Sequence, residues 1–142
     1  MFDQIALGFF LTCLTMAASA GIWFCAEQIL VALGPWARRP PHGRKLLAFL
    51  MISLTSTIFM LMSAVMIWAI AFWVLGLFAT FEAAVYFSLV AFTTLGFGDV
   101  LLDQEWRLLS GLSAANGLLL FGLMTAVLVE TVRSTRLGQR ET

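Results

Sequence analysis

Three stretches of this chain carry no charged side chain at all: Ile5 to Ala26, Leu46 to Phe81 and Leu108 to Val129. Each reaches the ~20 residues that a helix needs to cross the hydrocarbon layer of a bilayer. Lipid offers no water to backbone N–H and C=O groups, so such segments close their own hydrogen bonds as helices. That constraint alone predicts an all-α membrane protein with three transmembrane helices. Composition agrees, with 61% hydrophobic and 11% charged residues, where a soluble domain carries about a quarter charged residues.

The middle stretch is too long for a single crossing. Its 36 residues would extend about 54 Å as one helix, against a hydrocarbon core of ~30 Å. A tilted helix over 46–75 with a break near Gly76 resolves the excess and leads into a re-entrant element. Thr80 to Thr93 fits a helix of about three turns. Thr80 suits its N-cap, and Glu82 in the first turn complements the positive end of the dipole.

Charge placement sets an expected orientation. Arg38, Arg39, Arg44 and Lys45 crowd the Pro-rich link from Gly34 to Lys45, and Arg133, Arg136 and Arg140 follow the last apolar run. These are seven of the eight basic residues. The positive-inside rule puts both clusters in the cytoplasm, giving N-terminus outside and C-terminus inside, in a plasma (cytoplasmic) membrane. Asp99, Asp103 and Glu105 would then form an acidic outer mouth that gathers cations.

Ala18-Ser19-Ala20 has the look of a leader-cleavage site. However, the first ten residues hold Asp3 and no base, and apolar sequence continues to Leu33, so the reading is a retained helix. Ala17 and Gly21 form a small-residue pair suited to helix packing, and Glu27 suits the headgroup level. Cys13 and Cys25 stand twelve residues apart, about 18 Å along a helix and too far to bridge. His42 has no ligand cluster around it, which leaves metal chemistry unsupported. The zero net charge gives no nucleic-acid footprint.

Between the re-entrant helix and the third span lies Thr93-Thr94-Leu95-Gly96-Phe97-Gly98-Asp99. A K⁺ ion gives up its water only to oxygens at similar distance and field strength, and rings of backbone carbonyls supply them. A strand aims successive carbonyls at one axis only through backbone angles that glycine opens. Gly96 and Gly98, alternating with Leu95 and Phe97, meet that demand. Irregular backbone at membrane depth must be buried in protein or line water. Four such segments sheltering one another around an axis satisfy this, which makes a homotetramer in the lipid bilayer the expected assembly.

This segment resembles the pore loop of the potassium channel superfamily, whose usual signature is T-V-G-Y-G-D, often preceded by a second threonine. The likeness covers the filter and, more loosely, the last two-thirds of the chain. It implies four parts: a peripheral N-terminal transmembrane helix (1–34), a basic cytoplasmic link (35–45), a pore domain (46–132) and a cytoplasmic tail (133–142). It further implies K⁺ sites at the carbonyls of Thr94, Leu95, Gly96 and Phe97, with the Thr94 hydroxyl closing the innermost. Phe97 replaces the common tyrosine, and Leu95 replaces valine or isoleucine. Tyr86-Phe87 take the place of the family's bracing tryptophan pair, which suggests a hydrogen bond from Tyr86 to Asp99.

In the third span Gly117 lies where the family's inner helix often bends, and it serves as a hinge or as a close helix contact. Ser113 and Asn116 face a water-filled cavity below the filter or bond across helices. The expected function is passive K⁺ conduction without catalysis, cofactor or small-molecule substrate. A non-selective cation channel and a channel-associated subunit are the alternatives. An intramembrane aspartyl protease, suggested by Gly96-Phe97-Gly98-Asp99, is remote: its chemistry needs two carboxylates at membrane depth, and neither Asp3 nor Asp103 lies in a span. No span carries the arginine ladder of a voltage sensor.

Overall fold

The computed structural model describes residues 2–37 and 42–140. Four α-helices follow in chain order: α1 Phe2–Ala37, α2 His42–Val74, α3 Phe81–Phe92 and α4 Arg107–Arg140, the last preceded by a 3-10 turn at Gln104–Trp106. No strand occurs among the described residues. α1, α2 and α4 are each long and apolar enough to cross a membrane, and α3 is a short apolar helix between them. The protein is an all-α membrane protein, as the three charge-free stretches require.

α2 ends where the sequence asks it to. Gly76 adopts φ +71°, a conformation cheap only for glycine. The Leu77 N–H reaches back to the Phe72 carbonyl at 3.1 Å and the Gly76 N–H to the Trp73 carbonyl at 3.0 Å. This pair of bonds is a Schellman motif, which satisfies carbonyls that a helix end would otherwise leave bare in an apolar setting. The chain then turns at Thr80, whose side chain accepts a bond from the Ala83 N–H at 3.2 Å and starts α3.

At its other end α2 begins at His42, and α1 runs through Pro35 to Ala37. Only residues 38–41 lie between the two helices. Arg38 and Arg39 of the basic link fall outside the described residues. Lys45, though charged, is buried: its Nζ donates to the Trp36 carbonyl at 2.8 Å and sits 4.8 Å from the centre of the Trp36 ring. A lysine can bury its stem when its head finds such partners.

α1 packs on both α2 and α4. It runs antiparallel to α2, with Leu30 against Phe49. It runs parallel to α4, with Gln4 donating to the Glu105 carbonyl near one end and Asn116 meeting Thr15 in the middle. The face it buries includes Leu11, Thr15, Ser19, Ala26 and Leu30. Ala17 and Gly21, the expected packing pair, are exposed, and nothing lies within 4 Å of where a Gly21 Cβ would be. The contact surface lies on the Thr15 side, where the Thr15 hydroxyl gives α1 a bond to α4 that lipid cannot offer.

Candidate functional site

α3 is held against α2 by aromatic rings. Phe87 lies 5.3 Å from Phe72 and 5.1 Å from Phe78, centroid to centroid, and Trp68 lies 5.6 Å from Phe72 and 6.4 Å from Phe92. Pairs at these distances and tilts each contribute about 0.5–1.5 kcal/mol beyond contact area. Inside a bilayer such packing matters more than usual, because lipid removes the hydrophobic drive for helices to associate. Tyr86 and Phe87, expected to act together, divide the work: Phe87 is buried in this cluster, while Tyr86 is exposed.

The C-terminal end of α3 sets up the segment beyond it. Thr93 Oγ1 donates to the Leu89 carbonyl at 2.8 Å. The Thr94 N–H bonds the Ala91 carbonyl at 3.0 Å and the Leu95 N–H bonds the Val90 carbonyl at 3.2 Å. This is a second Schellman motif, and its left-handed position is Thr94, at φ +56°. A β-branched residue there is an outlier, with a cost of roughly 1–3 kcal/mol that the surroundings must hold in place. Sequence reasoning assigned Thr94 a hydroxyl role and missed its backbone, since glycine or asparagine is the usual signal for this conformation.

From Thr94 the chain is non-helical, with positive φ at every second residue: +56° at Thr94, +57° at Gly96 and +77° at Gly98. In an ordinary strand, with φ of one sign throughout, alternate residues face opposite sides. Alternating signs instead bring successive carbonyls toward a common side. Gly96 and Gly98 are needed for their angles alone, as no atom lies within 4 Å of a Cβ built at either. Leu95 is 60% and Phe97 65% exposed, so neither side chain packs within its own subunit.

The segment is tied to α3 at its far end. Tyr86 Oη donates to Asp99 Oδ2 at 2.6 Å. That bond holds the Asp99 carboxyl below the ordinary carboxylate range, against desolvation as the next largest effect and with lesser help from the backbone N–H groups at Asp99 and Val100. The side-chain partner of Asp99 is thus a phenol and not a second carboxylate, so the proton-sharing pair of an aspartyl protease is not built here.

α4 backs the base of this segment. A Cβ on Gly117 would sit 2.3 Å from the Phe92 carbonyl oxygen and 2.7 Å from its Cα. Gly117 is therefore where α4 touches the end of α3, backbone to backbone, and α4 runs unbroken through it. Of the alternatives for Ser113 and Asn116, the bond across helices is the one Asn116 makes, and neither side chain faces out of the subunit. Both are buried within one subunit, Ser113 bonding the Ser110 carbonyl and Asn116 Nδ2 donating to Thr15 Oγ1 of α1 at 2.7 Å. The exposed face of α4 instead carries Gly111, Ala115, Leu118, Gly122, Ala126 and Val129, spaced three or four apart along one stripe. Thr125, seven residues beyond Leu118, is the polar side chain beside that stripe, and its hydroxyl is spent on the Phe121 carbonyl.

Among the described residues no cluster of three or more His, Cys, Asp or Glu side chains could hold a metal. Cys13 and Cys25 are free and exposed. A family model described as an ion channel matches residues 47–134, spanning α2, α3, the 93–99 segment and most of α4. No curated protein matches the chain, and no solved structure does.

Proposed function

The chain belongs to the ion-channel family, and from that premise we propose that it conducts K⁺ passively through a filter built by four copies of residues 94–98. The observation that carries this reading is the alternation of positive φ at Thr94, Gly96 and Gly98 in an exposed, non-helical segment. One such strand supplies a quarter of each carbonyl ring, so conduction requires a homotetramer. The carbonyls of Thr94, Leu95, Gly96 and Phe97 replace the hydration shell, and the Thr94 hydroxyl closes the innermost site. Gly98 lets the strand turn outward to Asp99, which Tyr86 anchors. Thr93 and Phe87 fix the helix that presents the strand.

The basic ends of the helices face the cytoplasm of a plasma membrane, and the acidic mouth faces out. Cations are drawn to that mouth. The ion descends through the carbonyl rings into a space lined by the exposed stripe of α4.

The test is flux from liposomes holding only the purified chain. K⁺ efflux is expected from the wild-type protein, with a reversal potential that follows the K⁺ gradient in mixed K⁺ and Na⁺. Gly96→Ala forces a side chain into the left-handed region at roughly 1–2 kcal/mol per subunit and should abolish flux. Unchanged flux in that variant rejects the filter. A reversal potential indifferent to the K⁺/Na⁺ ratio rejects selectivity while keeping the pore. Flux only after a second protein is added makes the chain a subunit of a larger channel.

A further inference from the structure

One concavity lies away from the proposed pore. Between α1 and α2 a groove of about 400 Å³ is walled by Ile22, Cys25 and Ile29 on one side and by Met51, Thr55 and Phe59 on the other. Cys25, Ile29, Met51, Thr55 and Phe59 are exposed, so it opens outward. Its walls are almost wholly apolar. The Ser56 hydroxyl, also in the wall, is already spent on the Ser53 carbonyl.

Beyond the groove, about 10 Å past Met51 toward the start of α2, stands a cation that is not itself part of the walls. Arg44 precedes Met51 by seven residues and Thr55 by eleven, spacings that place all three on one face of α2 at ~100° per residue. Arg44 is exposed and makes no hydrogen bond or ion pair among the described residues. Lys45 beside it is occupied by Trp36, which joins the ends of α1 and α2 beneath the groove. Met51 lies about 10 Å and Phe59 about 22 Å along the helix from Arg44. A headgroup-level cation followed by an apolar slot of that length matches one leaflet of a bilayer whose core is ~30 Å thick.

We propose that this groove is a binding site for an anionic phospholipid, with an acyl chain lying between α1 and α2 and the phosphate on Arg44. The apolar walls alone would accept a helix of a second copy as readily as an acyl chain, and it is the cation at headgroup level that favours an anionic lipid. A soluble anion would gain nothing from the apolar walls, and a zwitterionic lipid would gain the walls but less from Arg44. The site depends only on the membrane setting, so its failure and a failure of K⁺ selectivity are separable.

The test uses the full chain in detergent with Cys13→Ala, leaving Cys25 as the only thiol. N-ethylmaleimide labelling of Cys25 is followed while phosphatidylglycerol, phosphatidylcholine or inorganic phosphate is added, and native mass spectrometry counts retained lipid. Phosphatidylglycerol should protect Cys25 at about fivefold lower concentration than phosphatidylcholine, the worth of one basic residue at a charged membrane surface. Arg44→Gln should erase that preference while keeping protection by both lipids. Thr55→Trp should fill the groove and reduce lipid retention. Equal protection by the two lipids in the wild-type chain overturns the proposal, as does protection by inorganic phosphate alone. Cys25 shielded without lipid and cross-linking between subunits would overturn it in favour of a protein interface.

Discussion

At the scale of single residues, the informative tension is at Thr94. Its φ of +56° is a conformation in which glycine is free of strain and threonine is not, so stability alone would place glycine there. The proposed role of the hydroxyl at the innermost ion site explains why threonine stands there. Thr94→Gly should therefore leave the assembled protein as heat-resistant as before or slightly more so, while K⁺ flux falls. If flux and stability fall together, the hydroxyl has only a structural part. The Tyr86–Asp99 bond yields a second expectation. Because it depresses the Asp99 pKa, its contribution is present above the ordinary aspartate value of ~3.9 and is lost only as pH falls through the lowered one. External acidification to about pH 4 should leave the wild-type filter intact. In Tyr86→Phe the onset of acid sensitivity should move up toward the ordinary value, as flux against external pH would show. Gly96 and Gly98 were legible from residue type and spacing, whereas the Tyr86–Asp99 pairing was legible only through the segment's resemblance to a pore loop. The backbone of Thr94 was not, because its left-handed state is imposed by the end of α3 and by nothing in the residue itself.

At the scale of elements, the breaks were legible and the contacts were not. A charge-free run too long for the bilayer, with a glycine and then a threonine near its end, foretells where α2 ends and α3 begins. The face of a membrane helix that meets protein is harder to read, because lipid and protein interior both accept apolar side chains. Ala17 and Gly21 therefore looked like the contact of α1, whereas Thr15 and Ser19 make it. Asn116 could not be assigned a partner, since Thr15 lies about a hundred positions away in the chain. Gly117 gives the element-scale prediction. A methyl group there would meet the Phe92 backbone, which cannot swing aside as a side chain could. Gly117→Ala should cost about 1–3 kcal/mol by overpacking and displace the end of α3 on which the filter stands. Tetramer melting would fall and flux with it. A hinge role instead predicts intact assembly with altered opening, so thermal stability measured beside flux separates the two.

At the scale of the whole molecule, the proposed assembly accounts for surface that a single chain leaves open. Leu95 and Phe97 are mostly exposed, and the 94–99 segment lies bare along its length, a condition that irregular backbone at membrane depth does not tolerate against lipid. In the proposed tetramer these surfaces meet around the axis, and α4 presents Ala115, Leu118, Gly122 and Ala126 to the space below the filter. Ser113 and Asn116 are turned the other way, into the packing against α1. Cysteine scanning distinguishes these faces. With Cys13 and Cys25 replaced by alanine, Ala126→Cys should react with a cationic, membrane-impermeant methanethiosulfonate reagent applied from the basic side. The positive charges so placed around the axis should repel K⁺ and reduce flux by about tenfold or more. Ser113→Cys, enclosed within its subunit, should remain unmodified under the same treatment. The reverse pattern, with position 113 reactive and 126 silent, would mean that α4 faces the axis with its other side, and the proposed pore would have to be rebuilt around α1.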